Sequence, residues 1–378
     1  MAISSAEILP HELLMEIMSW LPVMSLMQFR CVSKTWKFLI SNPYLVKLHL
    51  ERSSRNPKIL LMAKQRDNNI CFWARSRSLP CFIKSPAQSF CGGILPCPNP
   101  YKYYLFGSCN GLLSLHDSLS TNGCEQHWVC FWNPATNICS GPSPSLLLYY
   151  GNARVQHYMY FGFGYDDGRD SYKVVAMVLD WTTLQKSMWV YCMGDVCWRC
   201  PLMTSPGFYP FDSNGYSLNG TVNWIGISLE KSKFEVLQIF SYDLKNDTCR
   251  YLSVPETKDS EFTSMGVFNG CLCVSLDQGM IGFVVLALKD VRDERSWSRL
   301  LSVSYETLKI SPHYHNLRIL CMWGDLLLLT CSEFGGAYNI ISIFNLKENK
   351  VKRTQGYYKP FLGDIFCCHY APSLILPI

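Results

Sequence analysis

One dipeptide recurs along this chain at a nearly fixed interval, each time at the start of an apolar run. Asn110-Gly111 precedes LLSL, Asn219-Gly220 precedes TVNWIGI, Asn269-Gly270 precedes CLCVSL, and Trp323-Gly324-Asp325 holds a similar place before LLLL. The steps are 50 residues from 219 to 269 and 54 from 269 to 323. From 110 to 219 is 109, about two such steps, with GFGYDD (162–167) near the midpoint. A second pattern trails three of these by 22 to 24 residues: FWNPATN (131–137), SYDLKND (241–247) and IFNLKEN (343–349). Asn133, Asp243 and Asn345 align, and so do Asn137, Asp247 and Asn349.

Asn, Asp and Gly tolerate the backbone conformations of tight turns, so each pattern reads as strand, turn, strand. A further hairpin is expected at VLALKDVRDERSWSRL (285–300). A period of about 50 with four strands per unit marks a kelch-like β-propeller, and about 320 residues at that period make about six blades. FCCHYAPSLIL (366–376) is left over at the end and is expected to close the ring by pairing with the first strands. A β-sandwich or a solenoid is the other architecture this texture allows.

Composition supports a large core. Apolar residues make up 48% and charged residues only 17%, which excludes a disordered chain. The net charge of +5 comes without any basic block or stripe, so no nucleic-acid partner is expected. No apolar run is long enough for a membrane span and no signal peptide is visible. The 19 cysteines then read as reduced, mostly buried small hydrophobes, in a cytoplasmic and/or nuclear protein.

Ahead of the repeats the period changes. In ILPHELLMEIMSWLPVMSLMQFRCVSKTWKFLI (8–40), Leu13, Ile17 and Leu21 recur at i, i+4 and i+8, with Leu14 and Met18 beside them. Pro10 suits a first helical turn and Pro22 ends the helix. Ser25-x-x-Gln28 reads as a capping box opening a second helix that carries Phe29, Val32, Trp36 and Leu39. Two such helices expose more apolar surface than they cover in each other. Either the rest of the chain or another protein covers it, and the pattern alone leaves both open. The polar ERSSRNP (51–57) marks a boundary. The expected division is residues 1–50 helical, 51–57 linker and 58–378 β-domain.

The stretch Leu9-Pro10-x-Glu12-Leu13-x-x-Glu16-Ile17-Met18-x-x-Leu21-Pro22-Val23-x-Ser25-Leu26-x-x-Phe29-Arg30-Cys31-Val32-Ser33-Lys34-x-Trp36 resembles an F-box in the form common in plants. Met24 and Met27 depart from it, standing where basic residues are usual. The resemblance implies docking on a Skp-family adaptor and, through it, on a cullin and a RING-box protein. Its implied contacts are Leu9, Pro10, Leu13, Ile17, Leu21, Pro22, Leu26, Val32 and Trp36. Gly107-Ser108-Cys109-Asn110-Gly111, Trp132-Asn133-Pro134-Ala135-Thr136, Gly162-Phe163-Gly164-Tyr165-Asp166, Tyr172-Lys173-Val174-Val175 and Leu218-Asn219-Gly220-x-x-x-Trp224 are similar to the F-box-associated domain of plant F-box/kelch-type proteins, S-locus F-box-like ones included. The paired glycines of full kelch repeats are absent, so the kinship with kelch is architectural.

No spacing lays out a catalytic centre. Cys192-x4-Cys197-x2-Cys200 offers one ligand pair where a structural zinc site needs two. Asp166-Asp167-Gly168-Arg169-Asp170 lacks the alternating ligands of a calcium loop and reads as a turn. His313 and His315 read as loop residues. No catalytic residue, metal or cofactor is expected. Aromatics in loops are the better recognition surface, above all Phe208, Tyr209, Phe211 and Tyr216 in PLMTSPGFYPFDSNGY (201–216). The expectation is an α+β multidomain chain, with a small N-terminal helical F-box before an all-β propeller. By the resemblance it is a non-catalytic substrate receptor of a Skp–cullin–F-box ubiquitin ligase, whose protein target the sequence does not identify. The alternatives are an interaction module that drives no turnover, or a propeller binding a small molecule or glycan.

Overall fold

The computed structural model describes residues 9–55, 58–64, 72–78, 103–121, 123–149, 157–180, 185–202, 207–229, 235–279, 281–310, 314–333, 338–353, 357–358 and 365–377. Four helices come first: α1 (His11–Met18), α2 (Val23–Phe29), α3 (Lys34–Ile40) and α4 (Pro43–Arg55). The expected second helix is therefore two helices. Ser25 lies inside α2 and caps nothing, because α2 already starts after Pro22. Ser33 is the effective cap, its hydroxyl accepting from the Trp36 amide at 3.2 Å and starting α3. Residues 51–55 of the expected linker are the end of α4, where Arg52 reaches back to α1. Residues 56 and 57 lie outside the described ones.

The strands follow in units. The first holds β1 (Lys58–Lys64) and β2 (Phe72–Ser78). The second holds β3 (Tyr104–Cys109), β4 (Leu112–Thr121), β5 (Cys124–Asn133), β6 (Ile138–Cys139) and β7 (Leu146–Tyr149). The third holds β8 (His157–Asp166), β9 (Ser171–Asp180), β10 (Lys186–Cys192) and β11 (Arg199–Leu202). The fourth holds β12 (Phe208–Pro210), β13 (Asn214–Leu218), β14 (Thr221–Leu229), β15 (Glu235–Asp243) and β16 (Thr248–Ser253). The fifth holds β17 (Glu261–Phe268), β18 (Cys271–Asp277), β19 (Gly282–Leu288) and β20 (Trp297–Ser304), followed by α5 (Tyr305–Leu308). The sixth holds β21 (Tyr314–Trp323), β22 (Leu326–Glu333), β23 (Tyr338–Asn345), β24 (Lys350–Arg353) and β25 (Tyr357–Tyr358). The last strand, β26 (Ile365–Tyr370), pairs antiparallel with β1, Lys58 opposite Tyr370, and so closes the ring as expected for residues 366–376.

Inner strands of successive units lie side by side in the order β26, β3, β8, β13, β17, β21 and back to β26. That closed circuit makes the β-domain a propeller with six blades among the described residues. Its core is a set of slabs between blades. Phe106, Phe131, Phe163 and Val174 fill the slab between the second and third, and Phe283, Val285, Leu329 and Phe344 the one between the fifth and sixth. Blades three and four approach so closely that β8 and β13 pair directly in parallel, Gly162 opposite Gly215. The reason is Trp224, fully buried against both glycines. A Cβ on Gly162 would lie 2.7 Å from Trp224 Cζ2, and one on Gly215 2.6 Å from Cε2.

The repeated patterns are turns of two kinds. In the Asn-Gly turns both residues take positive φ, 51° and 81° at Asn110 and Gly111 and 47° and 76° at Asn219 and Gly220. This turn twist matches that of the flanking strands, and few other residue pairs adopt it without strain. In the longer turns the first Asn or Asp accepts the amides two and three residues on: Asp243 from Lys245 at 2.9 Å and Asn246 at 3.0 Å, Asn345 from Lys347 at 3.0 Å and Glu348 at 3.1 Å. The last one, Asn137, Asp247 or Asn349, holds the left-handed position. Because first–second and third–fourth turns face the same way in such a meander, both kinds lie on one rim of the ring.

Candidate functional site

That turn rim carries the helices. Met18, Val23, Leu26, Leu39, Ile40 and Leu45 form a buried cluster with Leu374, and Ala135 of the β5–β6 turn packs against it. Leu374 belongs to the tail after β26. The tail is anchored by Asn133, whose side-chain amide donates to the carbonyls of Ser373 at 2.9 Å and Ile375 at 2.7 Å. Gly111 lies beneath the tail, where a Cβ would meet the Ala371 carbonyl oxygen at 2.4 Å. At the edge of this contact Lys47 pairs with Asp170 of the β8–β9 turn at 3.3 Å.

With their inner face on the ring, the helices leave their outer face open. Leu13 and Ile17 of the i, i+4, i+8 stripe are 50% and 51% exposed, Leu9 just before α1 is 48% exposed, and Val32 is 69% exposed. Pro10 and Pro22 are exposed, and Leu21 and Trp36 are half-buried. Trp36 rests on Phe29 across the α2–α3 break, ring centroids 5.4 Å apart. Leu26 does not belong to this surface. It is fully buried because it follows Val23 on the face of α2 that meets the ring. Met24, Phe38 and Tyr44 are exposed apolar residues beside those expected. Arg52 holds the arrangement together, donating to the Glu16 carbonyl at 2.9 Å and covering the Trp20 ring at 4.3 Å.

Of the candidate loop 201–216, residues 203–206 lie outside the described residues, and residues 207–216 lie at the opposite rim. Its residues separate by role. Phe208 is buried between Phe240 and Tyr251. Tyr209 packs under Lys186, whose ammonium stands 3.8 Å from the ring centroid and donates to the Phe208 carbonyl. Burial brings that ammonium down to about 8. Phe208 is therefore closed to a partner, whereas Tyr209 remains half-buried. Phe211 is exposed and stacks on Phe262 of β17 at 5.3 Å. Tyr216 is half-buried, its hydroxyl donating to Asp212 at 3.5 Å. Burial, with Asp212 beside it, pushes this hydroxyl above its ordinary range against the pull of Arg318 on β21. Tyr104 of β3 completes the group, its hydroxyl 2.7 Å from Ser213 Oγ and donating to Asn214 Oδ1 at 3.2 Å. Blades two, four, five and six thus bring Tyr104, Phe211, Tyr216, Phe262 and Arg318 to the ring centre. Sequence reading found two of these five. The signal it passed over was a lone arginine in LRILCMW, an otherwise apolar inner strand.

The remaining sites are structural. Asp166 accepts the Gly168 and Arg169 amides at 2.9 and 3.3 Å, so the acidic run is a turn. Its other oxygen pairs with buried Lys173 at 2.9 Å, and Lys173 pairs with Asp247 of blade four at 3.1 Å. Burial raises the Asp166 pKa, but Lys173 and the two amides bring it below the ordinary value. Cys192 is buried while Cys197 and Cys200 are exposed. Among the described residues no group of three His, Cys, Asp or Glu side chains is placed to hold a metal. Tyr149 and Tyr158 are exposed, whereas Tyr150 and His313 lie outside the described residues.

Residues 7–48 match the F-box domain and residues 58–358 the F-box associated beta propeller domain. An F-box/kelch-repeat protein of Arabidopsis thaliana is 27% identical over 317 residues, covering 80% of this chain and 82% of its own. An F-box protein of the same plant is 23% identical over 362 residues, covering 92% of this chain and 75% of its own. Among solved structures, prolyl oligopeptidase B from Galerina marginata aligns with 86% of this chain and 56% of its own at 10% identity. Its TM-score of 0.44 is too low to carry an argument. The chain belongs to the F-box proteins that carry an F-box associated beta propeller domain.

Proposed function

We propose that this chain is the substrate-recognition subunit of a Skp–cullin–F-box ubiquitin ligase, held by its helices and presenting a protein target on its propeller. One observation carries the reading. The helices are fixed to the ring by one face and expose Leu9, Leu13, Ile17 and Val32 on the other. Exposed apolar side chains on an ordered helix face are the makings of a groove-binding anchor, where loss of one residue commonly costs about 2 kcal/mol. In this role the chain performs no bond chemistry. It raises the local concentration of target lysines near a ubiquitin-loaded conjugating enzyme. The cytoplasm and/or the nucleus is the compartment proposed.

The test is reconstitution. The full chain is co-expressed with a Skp-family adaptor, a cullin and its RING-box protein, and the assembly is followed by gel filtration. Co-elution of all four supports the reading. A chain that elutes alone at every concentration contradicts it.

A further inference from the structure

The opposite rim of the ring holds a group that nothing above accounts for. Arg318 is exposed between buried Leu317 and Ile319, and its charge acts on the Tyr216 hydroxyl of blade four, two blades away, so its side chain faces the ring centre. Apart from His157, which is engaged by Glu125 at 3.2 Å, it is the one basic side chain on the inner strands among the described side chains. It forms no ion pair with a described carboxylate. Asp212, the acid nearest in the network, is already engaged by the Asn214 amide at 3.4 Å and the Tyr216 hydroxyl at 3.5 Å. Above Arg318 the rim offers apolar and aromatic surface from three blades, through Tyr104, Phe211 and Phe262.

We infer that the ring centre is a binding site for a peptide segment of a target protein carrying one anionic group, the group meeting Arg318 and its flanking side chains the aromatic rim. A guanidinium selects carboxylate or phosphate by paired, charge-assisted hydrogen bonds. The occupant is a peptide rather than a nucleic acid because Arg318 is the one lysine or arginine on the inner strands among the described side chains, with Asp212 and Glu261 at the same end of the ring. A polyanion needs several phosphate contacts and meets repulsion here instead. The inference deepens the receptor reading by naming the class of target segment, yet the two are measured separately.

The probes are three capped nonapeptide libraries, randomised over uncharged residues, with a central Glu, phosphoserine or Gln. The purified full chain is titrated with each by fluorescence anisotropy. The Glu or phosphoserine library is expected to bind about tenfold or more tightly than the Gln library. The preference is expected to vanish in Arg318→Gln. Phosphoserine above Glu assigns a phosphorylated segment, and equal binding of the two assigns a carboxylate. Raising salt to about 0.5 M gives an arm that needs no variant, and it is expected to erode the preference. Equal binding of all three libraries overturns the inference, as does a preference that survives Arg318→Gln or ignores salt. A chain that binds acidic peptide but no adaptor keeps this inference and loses the receptor reading.

Discussion

The side-chain amide of Asn133 donates to the Ile375 carbonyl at 2.7 Å, joining positions 242 residues apart. Through that bond the turn of the second blade holds the chain's tail, and the tail places Leu374 in the helical core. One segment therefore ties the ring and the helical unit together, so the outer helix face keeps a fixed orientation to the opposite rim.

Leu374→Ala is expected to cost about 2–5 kcal/mol of helix-to-ring attachment, and Asn133→Ala about 1–3 kcal/mol by stranding two tail carbonyls. Hydrogen exchange should show the amides of α1–α4 losing protection in both variants while the central strands of the third blade keep theirs. Unchanged protection in the helices would show that the tail is not the tie.

Lys173→Met should be among the most damaging single changes. It leaves Asp166 and Asp247 without their counter-charge, one of them fully buried, at a cost of about 3–5 kcal/mol. Urea unfolding measures it. Adding Asp166→Asn should recover part of the loss.

Gly162→Ala would put a Cβ 2.2 Å from Val222 Cγ1, with the Trp224 ring 2.7 Å away on the same side. The parallel β8–β13 pairing must then open, at a cost of about 1–3 kcal/mol or more. Thermal unfolding reads the loss, and Val222→Ala in the same chain should return part of it.

Much of this was legible in the sequence, for reasons the turns make plain. Asn110-Gly111 and Asn219-Gly220 repeat because only a few residue pairs hold two positive φ angles. Asp243 and Asp247 repeat because one caps the turn and the other takes its left-handed position. Such local demands leave a mark at fixed spacing. The break at Ser33 was not expected, because Ser25 and Ser33 both precede helical residues and only packing decides which one caps. The F-box resemblance implied Leu26 as an outer contact, and helical spacing could not correct this because it does not say which of two apolar faces meets the ring. The ring-centre group left almost no local signal. Tyr104, Phe211 and Arg318 come from different blades and meet only once the ring has closed.

Acid should loosen the second blade. His116 lies against His127 at 3.1 Å and Phe161 at 4.5 Å, with Glu125 and His157 beyond. Burial, with the His127 ring beside it, lowers the His116 pKa to about 3. The folded protein keeps this imidazole neutral while the unfolded chain protonates it near 6.5. Stability is therefore full above pH 6.5 and falls as pH drops toward 3, by up to about 1.4 kcal/mol per pH unit from this group. His127 is depressed by burial as well and acts in the same direction. Urea midpoints between pH 7 and pH 5 should decline, and His116→Phe should flatten the slope. An equal slope in that variant would assign the loss to other groups.

The central claim is that the exposed face of α1 is the handle of a ligase receptor. Calorimetric titration of a Skp-family adaptor into the full chain and into Leu13→Asp/Ile17→Asp tests it most directly. The account expects saturable binding by the wild-type chain and a loss of about a hundredfold or more in the double variant, with the thermal unfolding of both chains alike. Equal affinity in the two would contradict it.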